Sequence, residues 1–573
     1  MKLTQYIFRN TSKSQFRFVN SQNIGISQKY FSTNNTQQQQ ILQAQSPQSN
    51  FRVTPYFAIS DSITQIKQQY QTQDLTSEHF KTLKIQTGGR IIGRRKASKD
   101  LIFLDIQSNG QNIQIMLDKN QMLEALKSNN KGSIEPEYEF KDIVDACQRG
   151  AIVGIQGYPG RTAAGEFTII ATSFSLLAPC NINMPMMNWS HKKTLKDSES
   201  RFQKRYLDLM ANNDLKTFFF KRSQIIKFMR NYLEERGFLE VETPILNGQA
   251  GGALAKPFET ESQVLRQKLE LRIAPELFLK KLIIGGFDRV YELGKVFRNE
   301  GIDGTHNPEF TSLEFYMAYA DYRDLITMTE DMLREGAGQE VHDVKTLEMN
   351  FKGPYKQYDV CDELGIDPLL LGNLPTLRKH LIPKVFQLNE KGLDPLKLND
   401  KQLIDKLIEH HIESKCIQPS FITNHPMIMS PLAKTHAQGR NGLQKPGAEF
   451  LSERFELFVN KKEVINSYSE QNDTDMQRKG FSFQTTMGQE GNHQDEELHR
   501  SDEDFLEALS YGMPPTAGWG CGIDRLCMLM LGLNQIREVI LFPMFRTSVL
   551  QGSKDKKQKQ QKNQQNTQNS QQE

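Results

Sequence analysis

Between residues 85 and 178, short apolar runs are separated by Gly, Asn and polar breaks: "GGRIIGRRK", "LIFLDIQ", "NIQIML", "AIVGIQGYPG" and "GEFTIIATSFSLLA". β-Branched residues in short runs bounded by turn formers predict five strands. A helical stretch over about 119–127 interrupts them. Five strands and a helix in this length predict an OB-fold barrel, with a generic small β-barrel as the alternative. From about 195 the texture is mixed. "FKRSQIIKFMRNYLEERG" (220–237) places Ile225, Ile226, Met229 and Leu233 on one helical face and stops at Gly237. "FLEVETPIL" (238–246) alternates like a strand and is broken by Pro244. "RVYELGKVF" and "TSLEFYMAY" read as strands flanking a loop at 297–310. No repeat of 20–50 residues is visible. The pattern predicts an α+β chain, a barrel over 85–178 followed by a larger domain over 195–549.

Composition adds the ends. Residues 1–31 contain no Asp or Glu and mix basic residues with Phe, Tyr, Ile, Ser and Asn, the composition of a mitochondrial transit peptide; a disordered polar leader is the alternative. "QKYFST" (28–33) has the look of a processing site. Residues 32–60 read as a low-complexity linker, and 553–573, rich in Lys and Gln, as a disordered tail. The chain carries +3 overall, but five basic residues in 1–50 and five lysines against two acids in the tail leave the body at −5. A nucleic-acid partner must therefore be met by a local patch. No apolar run approaches the roughly 20 residues of a membrane span. The six cysteines form no CxxC or Cys/His cluster, which predicts buried thiols.

Four constellations carry chemistry. "FRNEGIDGTHNPEF" (297–310) gathers Arg298, Glu300, His306 and Phe310 on one loop. The guanidinium suits bidentate binding of carboxylate and phosphate, the imidazole a terminal phosphate, and the ring a stacked purine. "GWGCGIDRL" (518–526) sets three glycines before an apolar helix. Arg525 at that helix start opposes the dipole, so it serves a ligand better than the helix. "KEVINSYSEQND" (462–473) spaces Glu463 and Glu470 by seven, where acids in a strand or hairpin can converge on magnesium, or simply be surface acids. Glu276 in "LRIAPELFLKK" and Glu314 and Tyr316 in "SLEFYM" put two carboxylates and a phenol into runs read as apolar strands, a costly placement unless they bind a cation such as lysine.

Together these stretches resemble a class II lysyl-tRNA synthetase over about 85–548. "GFLEVETPIL" is similar to motif 1 of the class, "YELGKVFRNEGIDGTHNPEFTSLEFYMAYADY" to motif 2 and "PPTAGWGCGIDRLCML" to motif 3. "RYLDLM", "GGALAKPF" and "RIAPELFLKKL" resemble signatures of the lysine-specific branch. The resemblance implies an OB-fold anticodon-binding barrel, a catalytic domain on an antiparallel sheet flanked by helices, and a homodimer built through motif 1. It implies ATP, L-lysine and lysine tRNA as substrates, Mg2+ as cofactor, and no membrane partner. Arg298 would hold the α-phosphate and the lysine carboxylate, and Arg298 and Arg525 would be the catalytic pair. Glu300 would meet the adenine amino group or the tRNA end, and His306 the outer phosphates. Phe310 and Arg525 would sandwich adenine, with Asn307, Val464 and Gly522 also at the nucleotide. Glu463 and Glu470 would hold the metal. Gly252, Glu276, Arg298, Glu314, Tyr316 and Asn472 would contact lysine, and Phe103, Gln114 and Glu166 the anticodon.

Three places depart from the family pattern: "ESQVLRQ" (261–267), Ser510 in "ALSYG", and "NINMPMMNWSHK" (181–192). They bear on local loop contacts, not on the reaction class. The rival readings are an aspartate- or asparagine-type synthetase, a non-catalytic OB-fold protein, and a lysine-transferring paralogue that acts on a protein. The first needs a basic pocket, whereas this one offers Glu276 and Glu314; the second predicts broken ATP motifs; the third needs no barrel. Mitochondrial targeting is expected from the leader, with a cytoplasmic location as the alternative.

Overall fold

The barrel strands form where the alternation places them. In the computed structural model, β1 (Ile85–Lys96), β2 (Leu101–Ser108), β3 (Gln111–Asp118), β4 (Ile152–Arg161) and β5 (Phe167–Ala178) close in the order β1-β2-β3-β5-β4. All pairs are antiparallel except β3 with β5. The structure describes residues 53–129, 139–181, 195–253, 255–337, 350–436, 446–490 and 502–544. The leader at 1–31, most of the linker and the tail lie outside them, as does nearly all of "NINMPMMNWSHK".

Inward-facing Ile102, Leu104, Ile106, Ile113, Ile115, Leu117, Val153, Ile155 and Ile169 fill the barrel. The expected helix runs Lys119–Asn129. Two more helices, Ile63–Tyr70 and Phe140–Ala146, were not foreseen because each offers only two turns of weak periodicity. The chain divides into two compact units, 1–184 and 185–573.

In the second unit the helix Asn213–Glu234 buries Ile225, Met229 and Leu233, and Gly237 follows at a φ of +80°. The alternating stretch after it yields only β6 (Leu239–Glu240) and β7 (Leu246–Asn247), since Pro244 has no N–H to continue a ladder. A hairpin, β8 (Glu259–Ser262) with β9 (Gln267–Leu271), carries the "ESQVLRQ" departure at its turn, where Val264 and Leu265 are exposed.

The main sheet contains β10 (Arg289–Phe297), β11 (Glu309–Ala318), β12 (Lys356–Asp359), β13 (Ser420–Thr423), β14 (Arg454–Val459), β15 (Lys462–Ser469) and β16 (Thr516–Gly522). Its order is β12-β13-β14-β15-β16-β11-β10-β6, parallel only at β12–β13 and β10–β6. One face packs Phe315, Leu457, Ile465, Trp519 and Cys521 against Met229 and Leu233 of the long helix and Leu325 and Met332 of the helix Tyr322–Ala337. Between β12 and β13 the helices Leu374–Gln387 and Asp400–His411 build a separate core around Leu381, Ile404 and Ile408. The cysteines are thiols, all but Cys180 buried. Among the described residues no helix is long and apolar enough to cross a membrane.

Candidate active site

The face of the sheet opposite Trp519 carries the site. Side chains alternate across a strand, so Ser312, Glu314 and Tyr316 of β11 share that face while Leu313 and Phe315 enter the core. In register with them on β16 stand Gly522, Gly520 and Gly518. On the other flank of β16, Asn466 and Tyr468 of β15 pair with Gly520 and Gly518. The glycines thus form a strip without side chains between two rows of polar groups. Trp519 points the other way, stacks on Phe315 at 4.8 Å and donates to Thr329 Oγ1 at 2.9 Å. The strip floors a cavity of about 460 Å³. "GWGCG" is therefore part of a strand, and its glycine spacing of two is the strand period.

One end of the cavity is acidic and enclosed. Glu276 lies not in a strand, as its apolar run predicts, but at the start of the helix Glu276–Ile284. Lys280, one turn along and fully buried, donates to Glu276 at 2.5 Å and pairs with Glu470. Tyr468 donates to the same Glu276 oxygen at 2.8 Å. Burial, with Glu276 beside it, pushes the Glu314 carboxyl up to about 8, and Glu470 is likewise raised by burial despite Lys280. Gly252 has a φ of +85°, and a Cβ there would come within 2.9 Å of Glu276.

The other end is set by the loop between β10 and β11. Its neck is closed by Arg298 N–H donating to the Pro308 carbonyl at 2.8 Å. The Arg298 guanidinium lies 5.2 Å from the Phe310 ring centre, and its Nε donates to the Ile273 carbonyl. Asp303 gathers the backbone N–H groups of Thr305 and His306 and the His306 ring, which hold its carboxyl down to about 2 against a burial penalty. Arg525 donates to His306 Nε2 at 2.8 Å and to the Glu463 carbonyl at 3.1 Å. An arginine can only donate, so this histidine carries its proton on Nδ1, toward Asp303. Asp524 accepts from Thr311 N–H at 2.7 Å and pairs with Arg222 at 2.7 Å, tying the helix Asn213–Glu234 to β11 and to the start of the helix Ile523–Met530. Glu300 is exposed at the rim, and Asn307 is buried with its amide on the Glu309 carbonyl.

Two expectations need correction. Seven residues apart on a regular strand, Glu463 and Glu470 would face opposite ways. A bulge at β14–β15, where Leu457 pairs with Ile465 and Phe458 with Glu463, makes Val464 the extra residue and returns Glu463 to the cavity face. The two acids still stand near opposite ends of β15, roughly 20 Å apart at the strand rise, too far to share one ion. Glu470 is engaged with Lys280, while the acid beside Glu463 is Glu456, itself held down to about 2, against burial, by Arg454 and His425. Asn472 does not line the cavity; its amide donates to the Met513 carbonyl, and Asn466 lines it instead. Asn466, Tyr468, Arg454, Glu456 and Lys280 escaped the sequence reading. The two-residue period running back from Glu470 was the signal for Asn466 and Tyr468, and i,i+4 spacing from Glu276 was the signal for Lys280. Among the described residues no cluster of three or more His, Cys, Asp or Glu side chains is arranged as a metal site. Glu463 beside Glu456 fits the mode in which one or two carboxylates share magnesium with substrate phosphates.

In the barrel, Gln114 donates to Glu166 at 2.8 Å, its own Oε1 is buried without a partner, and Arg95 lies over Phe103 at 5.2 Å. Asp105, opposite Gln114 in the register, has its carboxyl raised by burial.

The comparisons with known proteins agree with this geometry. Residues 197–546 match the family model described as tRNA synthetases class II (D, K and N). A protein of Vairimorpha ceranae named "Probable lysine--tRNA ligase, cytoplasmic" is 42% identical over 499 residues, covering 84% of this chain and 90% of its own length. The lysine–tRNA ligase of Aquifex aeolicus is 42% identical over 471 residues, 81% of this chain and 73% of its own. That of Dehalococcoides mccartyi is 40% identical over 479 residues, 82% and 89%. With a family match over more than half its length and such relatives over four fifths of it, the chain belongs to the class II tRNA synthetases, in the lysine–tRNA ligase branch.

Proposed function

We propose that this protein charges lysine tRNA in two steps: activation of L-lysine by ATP, then transfer of the lysyl group to the tRNA 3′ end. The observation that carries the reading is one cavity with two unlike ends. Three facing carboxylates with a phenol lie at one end, and Arg298, His306, Phe310 and Arg525 at the other. Lysine enters with its carboxylate toward Arg298 and its ε-ammonium among Glu314, Tyr316 and Glu470, while Gly252 and Glu276 take the α-ammonium. The step along β11 from Glu314 to Tyr316, about 7 Å, suits an extended four-carbon side chain. Phe310 and Arg525 take the adenine between them, His306 moves to the outer phosphates, and Asn307, Val464 and Gly522 shape the nucleotide bed.

The lysine carboxylate oxygen attacks the α-phosphorus, and the bond to the bridging oxygen of pyrophosphate breaks. Arg298 neutralises charge growing on the α-phosphoryl oxygens, and no side chain acts as nucleophile. The tRNA 3′-hydroxyl then attacks the lysyl carbonyl and AMP leaves. Magnesium, held by Glu463 with Glu456 nearby, would neutralise phosphate charge. Phe103, Gln114 and Glu166 read the anticodon, with the unpartnered Gln114 oxygen as an acceptor for a base. A second copy docks on the motif 1 surface, where Leu239, Ile245 and Leu246 are exposed. The acid-free leader directs the chain to mitochondria. Pyrophosphate exchange measured across all amino acids tests the activation reading: lysine alone should support it, and preference for aspartate or asparagine would overturn the lysine assignment.

A further inference from the structure

Lys280 is fully buried on the helix Glu276–Ile284, with its ammonium between the carboxylates of Glu276 and Glu470. The rings of Tyr468 and Phe505 lie 5.7 Å from it and form its apolar walls. Burying an ammonium is costly, and a lone structural ion pair would need only one acid. Here one cation serves two acids, and both belong to the cavity that the proposed function assigns to the amino acid. Glu314 faces the same pair, so three carboxylates confront each other. At the nucleotide end Glu456 pairs with Arg454, Glu463 with Arg525 and Asp524 with Arg222, while Glu300 is exposed at the rim and Asp502 accepts from the Phe505 N–H.

We infer that Lys280 is a positioning residue for the amino-acid substrate: an internal counter-ion that holds Glu276 and Glu470 in place, so that in the substrate complex the three facing carboxylates carry an excess of two negative charges, the number of ammonium groups on a diamino acid. The substrate carboxylate is then balanced by Arg298, and the filled site is neutral. A substrate with an uncharged side chain brings no second ammonium and forgoes the ion pair with Glu314, so it is bound less tightly. Arginine satisfies the same count and must be excluded by length. Glu276 Oε1, already accepting from both Lys280 and Tyr468, is fixed before substrate arrives.

The inference rests on lysine being the substrate, and the experiment separates the two. If the wild type does not activate lysine, the function reading has failed before any variant is compared. With that established, Lys280→Met, which keeps the stem and removes the charge, should raise the lysine KM about 30-fold or more, with kcat and the ATP KM within about threefold of wild type. Lys280→Ala removes the equivalent of n-propylammonium. Adding n-propylammonium chloride should recover at least about tenfold in lysine kcat/KM for that variant and nothing for the wild type, while n-propanol does nothing. A purely structural lysine would move both KM values together and gain nothing from the amine. That result, or an unchanged lysine KM in Lys280→Met, overturns the inference. If neither variant folds, Lys280→Gln carries the test, and an unchanged lysine KM in it overturns the inference equally.

Discussion

Burial and the neighbouring Glu276 carboxylate keep the Glu314 carboxyl up at about 8, and Arg298 and Arg272 only partly offset them. In the free protein this group therefore holds a proton at neutral pH. An arriving ammonium stabilises the ionised form, so binding releases that proton and lysine affinity grows as pH rises toward 8. Lysine KM should fall between pH 6.5 and 8, by up to about tenfold per unit, with the ATP KM flat. In Glu314→Gln the dependence should weaken, leaving only what Glu470, also raised by burial, contributes, and lysine KM should rise by the equivalent of about 2–5 kcal/mol. A normal lysine KM in that variant would remove Glu314 from the site. Arg298→Ala should lower exchange by roughly 10²–10³, the usual loss for a preorganised charge contact at a transition state; a rate within about threefold of wild type would show the arginine to be misassigned.

The strands make these residues usable. Gly518, Gly520 and Gly522 stand opposite Tyr316, Glu314 and Ser312 because β16 lies between β11 and β15. A Cβ on Gly518 would overlap the Glu470 carboxylate and come within 2.6 Å of Tyr316. Gly518→Ala should therefore raise lysine KM sharply and leave the nucleotide end intact, which separate lysine and ATP titrations of the exchange reaction will show. β15 has the opposite device, an extra residue. Deleting Val464 would remove only the extra residue and leave Glu463 opposite Phe458, next to core-facing Ile465 and still on the cavity face. Exchange should therefore survive that deletion, whereas Glu463→Gln should lower it, and retention of wild-type magnesium dependence in Glu463→Gln would contradict the role given to Glu463.

At the scale of the molecule, the chain divides into two compact units, and the proposed function gives each a separate task. Phe103→Ala and Gln114→Ala should weaken charging of lysine tRNA by the stacking and hydrogen-bond contribution of a base, about 1–3 kcal/mol, while leaving lysine-dependent exchange unchanged. Equal loss in both assays would point to a folding defect. With the body of the chain at −5, a tRNA is expected to be met by local groups such as Arg95, which lies over Phe103, so charging should weaken as salt rises.

Local pattern was enough for the barrel strands, the long helix and the β10–loop–β11 hairpin, because period and turn residues are properties of adjacent positions. The residue types of the nucleotide end were legible for the same reason: Arg298, Glu300, His306 and Phe310 lie within one loop. Short elements were not, since Pro244 cut a good alternating stretch down to two-residue pairs and Glu276 began a helix inside an apolar run. The amino-acid end was half legible. Glu276, Glu314 and Tyr316 stood out as polar residues in apolar runs, but their partners Lys280, Asn466 and Tyr468 look unremarkable in the chain. That Glu463 faces the cavity depended on a strand bulge, and that Glu470 pairs with a cation depended on a lysine nearly two hundred positions away. Sequence alone determined which local elements form and which chemical groups are available. Only the tertiary structure decided which carboxylates share a cation, because that choice is made by strand order and register across distant segments.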